Sequence, residues 1–273
     1  MRIYLGSQDG GIVHYWAGKY PNLVGQCFSP PQFNPRAWMP YFLDNGAYKY
    51  YANHQKFDEG AFFSHLEKVK FGIKIPEFVV IPDAIGNHDR TLEMWDYFYP
   101  KAIAMKPALK YAFVTQDGCE VENIPEEADF IFIGGTDSFK KLRLKNFADT
   151  FSDRVHVGRV NNLDFVFRCH DLGIASIDGT GWFRSNHGKP TYMQLEQYFE
   201  YCQGRGNLPF LVLLINSRSR TLNPEPIYQK TVEKHGLDRK RQTLKRSRCL
   251  GIREIRRMAR IPRDERTKGL YWN

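Results

Sequence analysis

The sequence predicts an α/β protein built as a (β/α)8 TIM-type barrel, followed by a basic, mainly helical C-terminal extension. Short β-rich runs recur along the first two thirds of the chain, and several of them end in Asp or Gly. Helix-like patterns separate many of these runs, and such an alternation is typical of a parallel sheet. The length of 273 residues also falls within the usual size of one such barrel.

Seven runs are predicted as strands because they are rich in β-branched and aromatic residues. They are residues 2–5, 41–43, 78–81, 111–115, 130–133, 155–160 and 174–177. Residues 210–215 are the candidate for an eighth strand. A closed barrel is favoured over an open doubly wound sheet, because no glycine-rich dinucleotide-binding turn follows the first run.

Several segments between the strands carry the spacing of amphipathic helices. They are residues 60–71, 89–101, 138–147 and 193–202. The composition changes after about residue 217, where Arg218, Arg220 and Pro224 open a basic stretch. We therefore predict a barrel over residues 1–216 and a separate extension over residues 217–273.

The positive charge of the chain is concentrated in that extension. The net charge is +9, and residues 229–273 hold fifteen Lys or Arg against five Asp or Glu, a net of +10. Within it, Arg253, Arg256, Arg257 and Arg260 recur at helical spacing, which predicts one basic helix face. A basic segment on a near-neutral body is typical of a protein that binds nucleic acid.

Composition argues against several other classes of protein. The five cysteines are odd in number and form no CxxC pair, so neither a disulfide framework nor a zinc ribbon is indicated. The longest apolar run, residues 210–215, is far shorter than the roughly 20 residues of a membrane span. The N-terminus lacks a secretory signal. We therefore expect no membrane partner and a cytoplasmic location, which is the host cytoplasm for a phage-encoded protein.

Polar residues follow the predicted strands at the end where barrel enzymes place their chemistry. They are Asp44, Asp83, Gln116, the pair Gly134–Gly135 and Asp178. A single Asp after a strand is more often a helix cap or a turn residue. Their common position on one rim makes a joint functional role the better interpretation.

If the ligand is a guanine-like base, these residues can match its edge. Asp83 can accept hydrogen bonds from N1–H and the 2-amino group, while Gln116 and the amides of Gly134 and Gly135 can donate to O6. Glycine lets the base approach the backbone closely. Tyr48 can stack on the face of the base.

Asp44 and Asp178 remain for catalysis. Two carboxylates that flank an N-glycosidic bond can perform a retaining displacement, in which one attacks the anomeric carbon and the other moves a proton on the leaving base. A base in a duplex must leave the helical stack to reach such a pocket.

The same residues resemble the motifs of the tRNA-guanine transglycosylases, in the family's order. Residues 44–48, DNGAY, resemble the DSGG(F/Y) motif, and residues 79–83, VVIPD, resemble the strand with the second base-binding Asp. Residues 115–118 and 133–135 are similar to the QG turn and the GG loop. Residues 176–180, SIDGT, lie where the family has its nucleophile. The resemblance implies that Asp178 is the nucleophile and that Asp44 transfers the proton.

The sequence departs from the family pattern in ways that resemble the DpdA branch. The enzymes of this branch insert 7-deazaguanines into DNA in bacteria and phages. The CxCxxC zinc site is missing, and Asn45 and Ala47 replace the usual Ser and Gly. The resemblance implies a pentosyltransferase that exchanges guanine in DNA for a base such as preQ0. Its partners are DNA and the free deazaguanine, and no cofactor is implied.

Four alternatives stay open on the sequence alone. The substrate can be tRNA, the barrel can bind nucleic acid without catalysis, or the base can be released to water. A zinc ion held by His156 with Cys169 and His170 is the fourth, although a structural role is commoner for such residues.

Overall fold

The computed structural model of the protein describes residues 1–6, 9–70, 74–183, 185–186 and 189–204. The predicted extension over residues 217–273 lies outside these residues, as do its arginines Arg253, Arg256, Arg257 and Arg260. These predictions therefore stay predictions. In the described part of the chain, no helix has both the length and the apolar character that a membrane span requires.

Eight parallel strands close into a barrel, which confirms the predicted fold class. The strands are β1 (Arg2–Gly6), β2 (Val24–Phe28), β3 (Tyr41–Leu43), β4 (Val79–Val80), β5 (Tyr111–Thr115), β6 (Phe130–Ile133), β7 (Val155–Val157) and β8 (Ser176–Gly179). Each strand pairs with its neighbours in chain order, and β1 also pairs with β8 to complete the ring. All carboxyl ends of the strands therefore lie on the same rim.

The eighth strand is β2, and the suggestion that residues 210–215 fill this place was wrong. Those residues lie outside the described part of the chain, and the barrel closes without them. Gly25 and Gln26 interrupt the apolar pattern of β2, although all five of its residues are buried. A Cβ atom on Gly25 would lie 2.6 Å from the ring of Tyr4 and 2.9 Å from the carbonyl oxygen of Pro40. Glycine is needed there because the Tyr4 ring passes so close.

Seven α-helices accompany the strands in the described part of the chain, and the four predicted helices are confirmed with shifted ends. They are α1 (Gly11–Lys19), α2 (Ala47–Ala52), α3 (Glu59–Glu67), α4 (His88–Met105), α5 (Asp137–Phe151), α6 (Leu163–Asp171) and α7 (Tyr192–Cys202). The side chains of Asp58, Asn87, Thr136 and Asn162 cap four of them by accepting a first-turn N–H. Such caps satisfy backbone donors that have no partner inside the helix. A short hairpin of β9 (Ser185–Asn186) and β10 (Lys189–Pro190) precedes α7.

Aromatic side chains fill the interior of the barrel. Tyr4, Phe42 and Phe78 are fully buried there, and the rings of Phe42 and Phe78 stack with their centroids 4.7 Å apart. Phe132 packs against this cluster from β6. The interior is therefore a packed core and no pore, and the rim at the carboxyl ends lies directly above it.

Candidate active site

Asp178 lies within β8, where its carboxylate is held through one oxygen. The backbone N–H of Arg159 donates to Oδ1 at 2.9 Å, and His156 Nε2 lies 3.3 Å from the same atom. No residue in the described part of the chain donates to Oδ2. The carboxylate side chain keeps 13% of its surface exposed. One oxygen of Asp178 is thus fixed, while the other is available to an incoming group.

The sequence analysis missed the role of His156, which it considered only as a possible zinc ligand. It lies in β7 and is fully buried, with its ring 4.9 Å from that of Phe42 and 4.7 Å from that of Phe132. Its Nδ1 lies 2.8 Å from the hydroxyl of Ser176. With Nδ1 accepting from that hydroxyl, Nε2–H is left to donate to Asp178. The pairing orients the carboxylate from below.

Asp44 follows β3 and belongs to the same electrostatic cluster. Its Oδ2 accepts from the hydroxyl of Ser29 at 2.6 Å and from the N–H of Gly46 at 3.2 Å. Burial raises the pKa of Asp44, and the negative charge of Asp178 raises it further. A second negative charge nearby disfavours the ionised form of a carboxyl group, so the position of Asp178 adds to the effect of burial on Asp44.

Asp83 is buried and occupies the centre of a hydrogen-bond chain. Asn45 Nδ2 donates to its Oδ1 at 2.8 Å, and Gln116 Nε2 donates to its Oδ2 at 2.6 Å. Burial raises the pKa of Asp83 to about 6, the charge of Asp44 adds to this, and the two amide donors oppose it. A carboxylate has about four acceptor positions. Asp83 therefore keeps acceptor capacity for a further pair of donors.

Asn45 helps to hold Asp83 in place. The sequence analysis noted it only as a replacement for the usual Ser of a motif. Its side chain is buried and also donates to the carbonyl of Ile81 at 2.9 Å. Its Oδ1 accepts from the N–H of Ala47 at 2.7 Å. Asn45 thus joins the loop after β3 to Asp83 on the loop after β4, which a Ser side chain is too short to do.

Gln116 and the two glycines take positions that differ in detail from the predicted ones. Gln116 Oε1 accepts from the N–H of Gly86 at 2.8 Å, so its amide is oriented from both ends. The Gly134 N–H donates to the carbonyl of Thr115, which leaves the Gly135 N–H as the available amide of the pair. A Cβ on Gly134 would lie 2.9 Å from Gln116 Nε2. The glycine therefore lets β6 lie directly against the Gln116 amide.

Tyr48 lies in the first turn of α2 with half of its surface exposed. The guanidinium carbon of Arg159 lies 4.6 Å from the centre of its ring. Arg159 is a second residue that the sequence analysis missed. Its Nη2 also donates to the carbonyl of Gly135 at 2.9 Å. Tyr48 is therefore at the mouth of the barrel, where the guanidinium of Arg159 lies over its ring. The predicted stacking of Tyr48 on a base stays a prediction.

The residues suggested as a zinc site are not brought together. Both ring nitrogens of His156 contact protein groups, and His170 Nδ1 lies 3.1 Å from the hydroxyl of Tyr198. Among the described residues, no group of three or more His, Cys, Asp or Glu side chains could hold a metal ion. Among the described residues, the site consists of carboxylates, side-chain amides, His156 and the guanidinium of Arg159.

Comparison with known proteins identifies no family for this chain. No protein-family model matches the chain, and no curated protein sequence matches it. A solved tryptophan synthase complex from Pyrococcus furiosus is similar at a TM-score of 0.42 and 14% identity, over 75% of this chain and 97% of that one. A likeness at this level carries no argument, and the fold class rests on the closed ring of eight parallel strands. The chain is a (β/α)8 barrel protein with a carboxylate-rich rim.

Proposed function

We propose that the protein is a nucleobase-exchanging transglycosylase that replaces guanine in DNA with a 7-deazaguanine base. The observation that supports this most strongly is the connected set Asp44, Asp83, Gln116 and Asp178 on one rim. Asp83 and Gln116 share a hydrogen bond, and the charges of Asp178 and Asp44 act on the neighbouring carboxyl groups. In this set, the carboxylates of Asp44 and Asp178 are assigned to catalysis. Asp83 and Gln116 are assigned to recognition of the base.

The proposed reaction begins with attack of Asp178 Oδ2 on C1′ of the target nucleotide. The C1′–N bond breaks as the new C1′–O ester bond forms, and the departing guanine takes its electron pair together with the proton from Asp44. In the second half, the incoming base attacks C1′, the ester bond breaks, and Asp44 recovers a proton from that base. The free oxygen of Asp178 and the raised pKa of Asp44 suit these two roles.

Base recognition is assigned to Asp83, Gln116 and Gly135. The remaining acceptor positions of Asp83 match N1–H and the 2-amino group, which guanine and 7-deazaguanine share. The second N–H of Gln116 and the amide of Gly135 suit O6. Adenine presents an acceptor at N1, so it leaves a buried carboxylate facing a lone pair and is rejected.

The function is tested by mass spectrometry of nucleosides from cells that express the protein with a supply of 7-cyano-7-deazaguanine. We expect the modified nucleoside in the DNA of cells with the wild type and not with Asp178→Asn. Its appearance in tRNA alone would move the substrate to tRNA. Its absence from both, together with no exchange of labelled guanine by purified protein, would refute the proposal.

We expect binding of a guanine-type base to weaken below about pH 6, the pKa of Asp83. Burial raises this pKa, so the free protein holds a proton on Asp83 below pH 6, and the protonated carboxyl cannot accept from both base donors. The dissociation constant should rise about tenfold for each pH unit below that point and stay level above it. Calorimetric titration with 7-cyano-7-deazaguanine between pH 5 and 8 measures this.

Asp153→Asn is the matched control for that profile, because Asp153 precedes β7 at the opposite end of the barrel. This variant should reproduce the wild-type pH dependence, whereas Asp83→Asn should bind weakly at every pH. A flat profile in the wild type would remove Asp83 from the base site.

We expect the basic extension to supply most of the salt-dependent affinity for nucleic acid. Neutralising Arg253, Arg256, Arg257 and Arg260 together should flatten the slope of log affinity against log salt by up to about 3 to 4 units on duplex DNA, because each phosphate contact releases condensed counterions. Binding titrations at several salt concentrations on both proteins measure the slope. Equal slopes would show that these arginines do not contact DNA.

A further inference from the structure

Arg159 has a backbone conformation that an arginine rarely adopts. It directly follows Gly158 after β7, and its φ angle is +57°. Side chains with a Cβ atom are unfavourable in this left-handed region, and glycine is the usual residue there. Residues held in such conformations concentrate at functional sites. Glycine would fit this backbone conformation better, so the presence of an arginine suggests a role for its side chain.

The conformation sends the two parts of Arg159 in different directions. Its N–H points at Asp178 Oδ1, while its guanidinium reaches the carbonyl of Gly135 and the ring of Tyr48. The side chain is exposed at the mouth of the barrel. Within the described part of the chain, the guanidinium donates through Nη2 to the Gly135 carbonyl, so further N–H groups of its fork can donate to a ligand. The same residue thus touches the proposed nucleophile and presents a cation beside it.

The negative charge of the rim opposes the binding of a nucleotide phosphate, and a nearby cation offsets that repulsion. Asp44, Asp83 and Asp178 form an anionic rim, and a phosphate near them would be repelled. The charge of Arg159 acts on Asp83 and on Asp137. Asp137 has its own ion pair, because Lys140 Nζ lies 3.0 Å from its carboxylate. Arg159 therefore remains available to a ligand anion.

We propose that the guanidinium of Arg159 binds a phosphate of the nucleotide whose sugar is attacked by Asp178. The inference rests on the proposed function and assigns the side chain that holds a phosphate of its substrate. It implies that the site prefers phosphorylated nucleotides, within a polymer or alone, to free nucleosides. The planar fork of arginine matches two phosphate oxygens. The phosphates are attached to the same sugar as the reacting carbon. The guanidinium belongs to the residue whose backbone N–H holds Asp178, so it lies near the proposed point of attack.

Binding of two small probes to the full chain tests this assignment without turnover. The probes are 2′-deoxyguanosine and 2′-deoxyguanosine 3′,5′-bisphosphate, titrated into the wild type and into Arg159→Gly. Glycine suits the φ of +57° and keeps the N–H on Asp178, so the variant removes only the side chain. We expect the bisphosphate to bind about tenfold to a hundredfold more weakly, and the nucleoside to bind equally well.

Two further variants separate charge from structure. Arg154→Ala removes an exposed arginine at the opposite end of β7 and should leave both affinities unchanged. Arg159→Lys keeps the charge without the fork and should give an intermediate bisphosphate affinity. The thermal unfolding midpoint of Arg159→Gly should equal or exceed that of the wild type. An equal loss for nucleoside and bisphosphate, or no loss for either, would overturn the assignment.

The outcome is separable from that of the proposed exchange reaction. The titrations can be repeated in an Asp178→Asn background, where no ester forms. A bisphosphate effect in a protein that exchanges no base would retain the phosphate site and refute the transglycosylase. Exchange without a bisphosphate effect would retain the reaction and remove Arg159 from phosphate binding.

Discussion

Asp178→Asn should lower the rate of base exchange by about 10⁴-fold or more, the scale of losing a residue that acts directly in covalent catalysis. The amide cannot form the glycosyl ester. Its oxygen can still accept from the N–H of Arg159 and from His156, the two contacts that hold the carboxylate. The fold and the affinity for the base should therefore persist. Incorporation of labelled guanine into DNA measures the rate.

The covalent intermediate gives this prediction a second measurement. Wild-type protein quenched by denaturation should retain a fraction of oligonucleotide bound to the chain, and Asp178→Asn should retain none. Asp171→Asn is the matched control, because Asp171 ends α6 away from the rim and should keep full activity. Near-native exchange by a folded Asp178→Asn protein would show that another group attacks the sugar.

Asp44→Asn should reduce base release by about 10²- to 10⁴-fold, the usual contribution of a positioned proton donor. An Asn oxygen can still accept from Ser29 and Gly46, so the loop after β3 should stay in place. The upward shift of the pKa of Asp44 favours its protonated form, which is the form that the departing base requires. In the wild type, release should therefore slow as the pH rises through this pKa.

The leaving group distinguishes proton transfer from positioning. 7-Methylguanine is already positively charged in the nucleotide and departs without receiving a proton. Asp44→Asn should therefore release it at close to the wild-type rate, while its release of guanine stays slow. An equal loss on both substrates would show that Asp44 positions the nucleotide and transfers no proton.

Most of the barrel could be predicted because its strands are apolar runs that end abruptly in polar residues. β3 and β4 are short, yet Asp44 and Asp83 mark the loops that follow them. β2 escaped notice because Gly25 and Gln26 break its pattern. The glycine is required by the ring of Tyr4 on the neighbouring strand β1, a contact between strands that local periodicity does not contain.

Some residues of the candidate site could likewise be predicted from the local sequence, whereas others depend on contacts between distant parts of the chain. Asp44, Asp83, Gln116 and Asp178 could be named from their places along the chain. The sequence suggested His156 only as a possible zinc ligand. Its pairing with Asp178 could not be predicted, because a histidine inside a β-strand is ordinarily structural and Asp178 is 22 residues away. Arg159 depends on a backbone angle that leaves no mark in the sequence. Its proposed role and those of the carboxylates remain predictions for the experiments above.

The aromatic floor of the barrel has a consequence for the order of events. Tyr4, Phe42 and Phe78 are fully buried below the site, so a base has no passage through the core and must arrive and depart by the rim. In the proposed exchange, one recognition set centred on Asp83 serves both bases in turn. The first base has to leave before the second can occupy its place. During that interval the proposed ester holds the sugar on Asp178, and the time that the vacated pocket spends exposed to water would decide between base exchange and an abasic site.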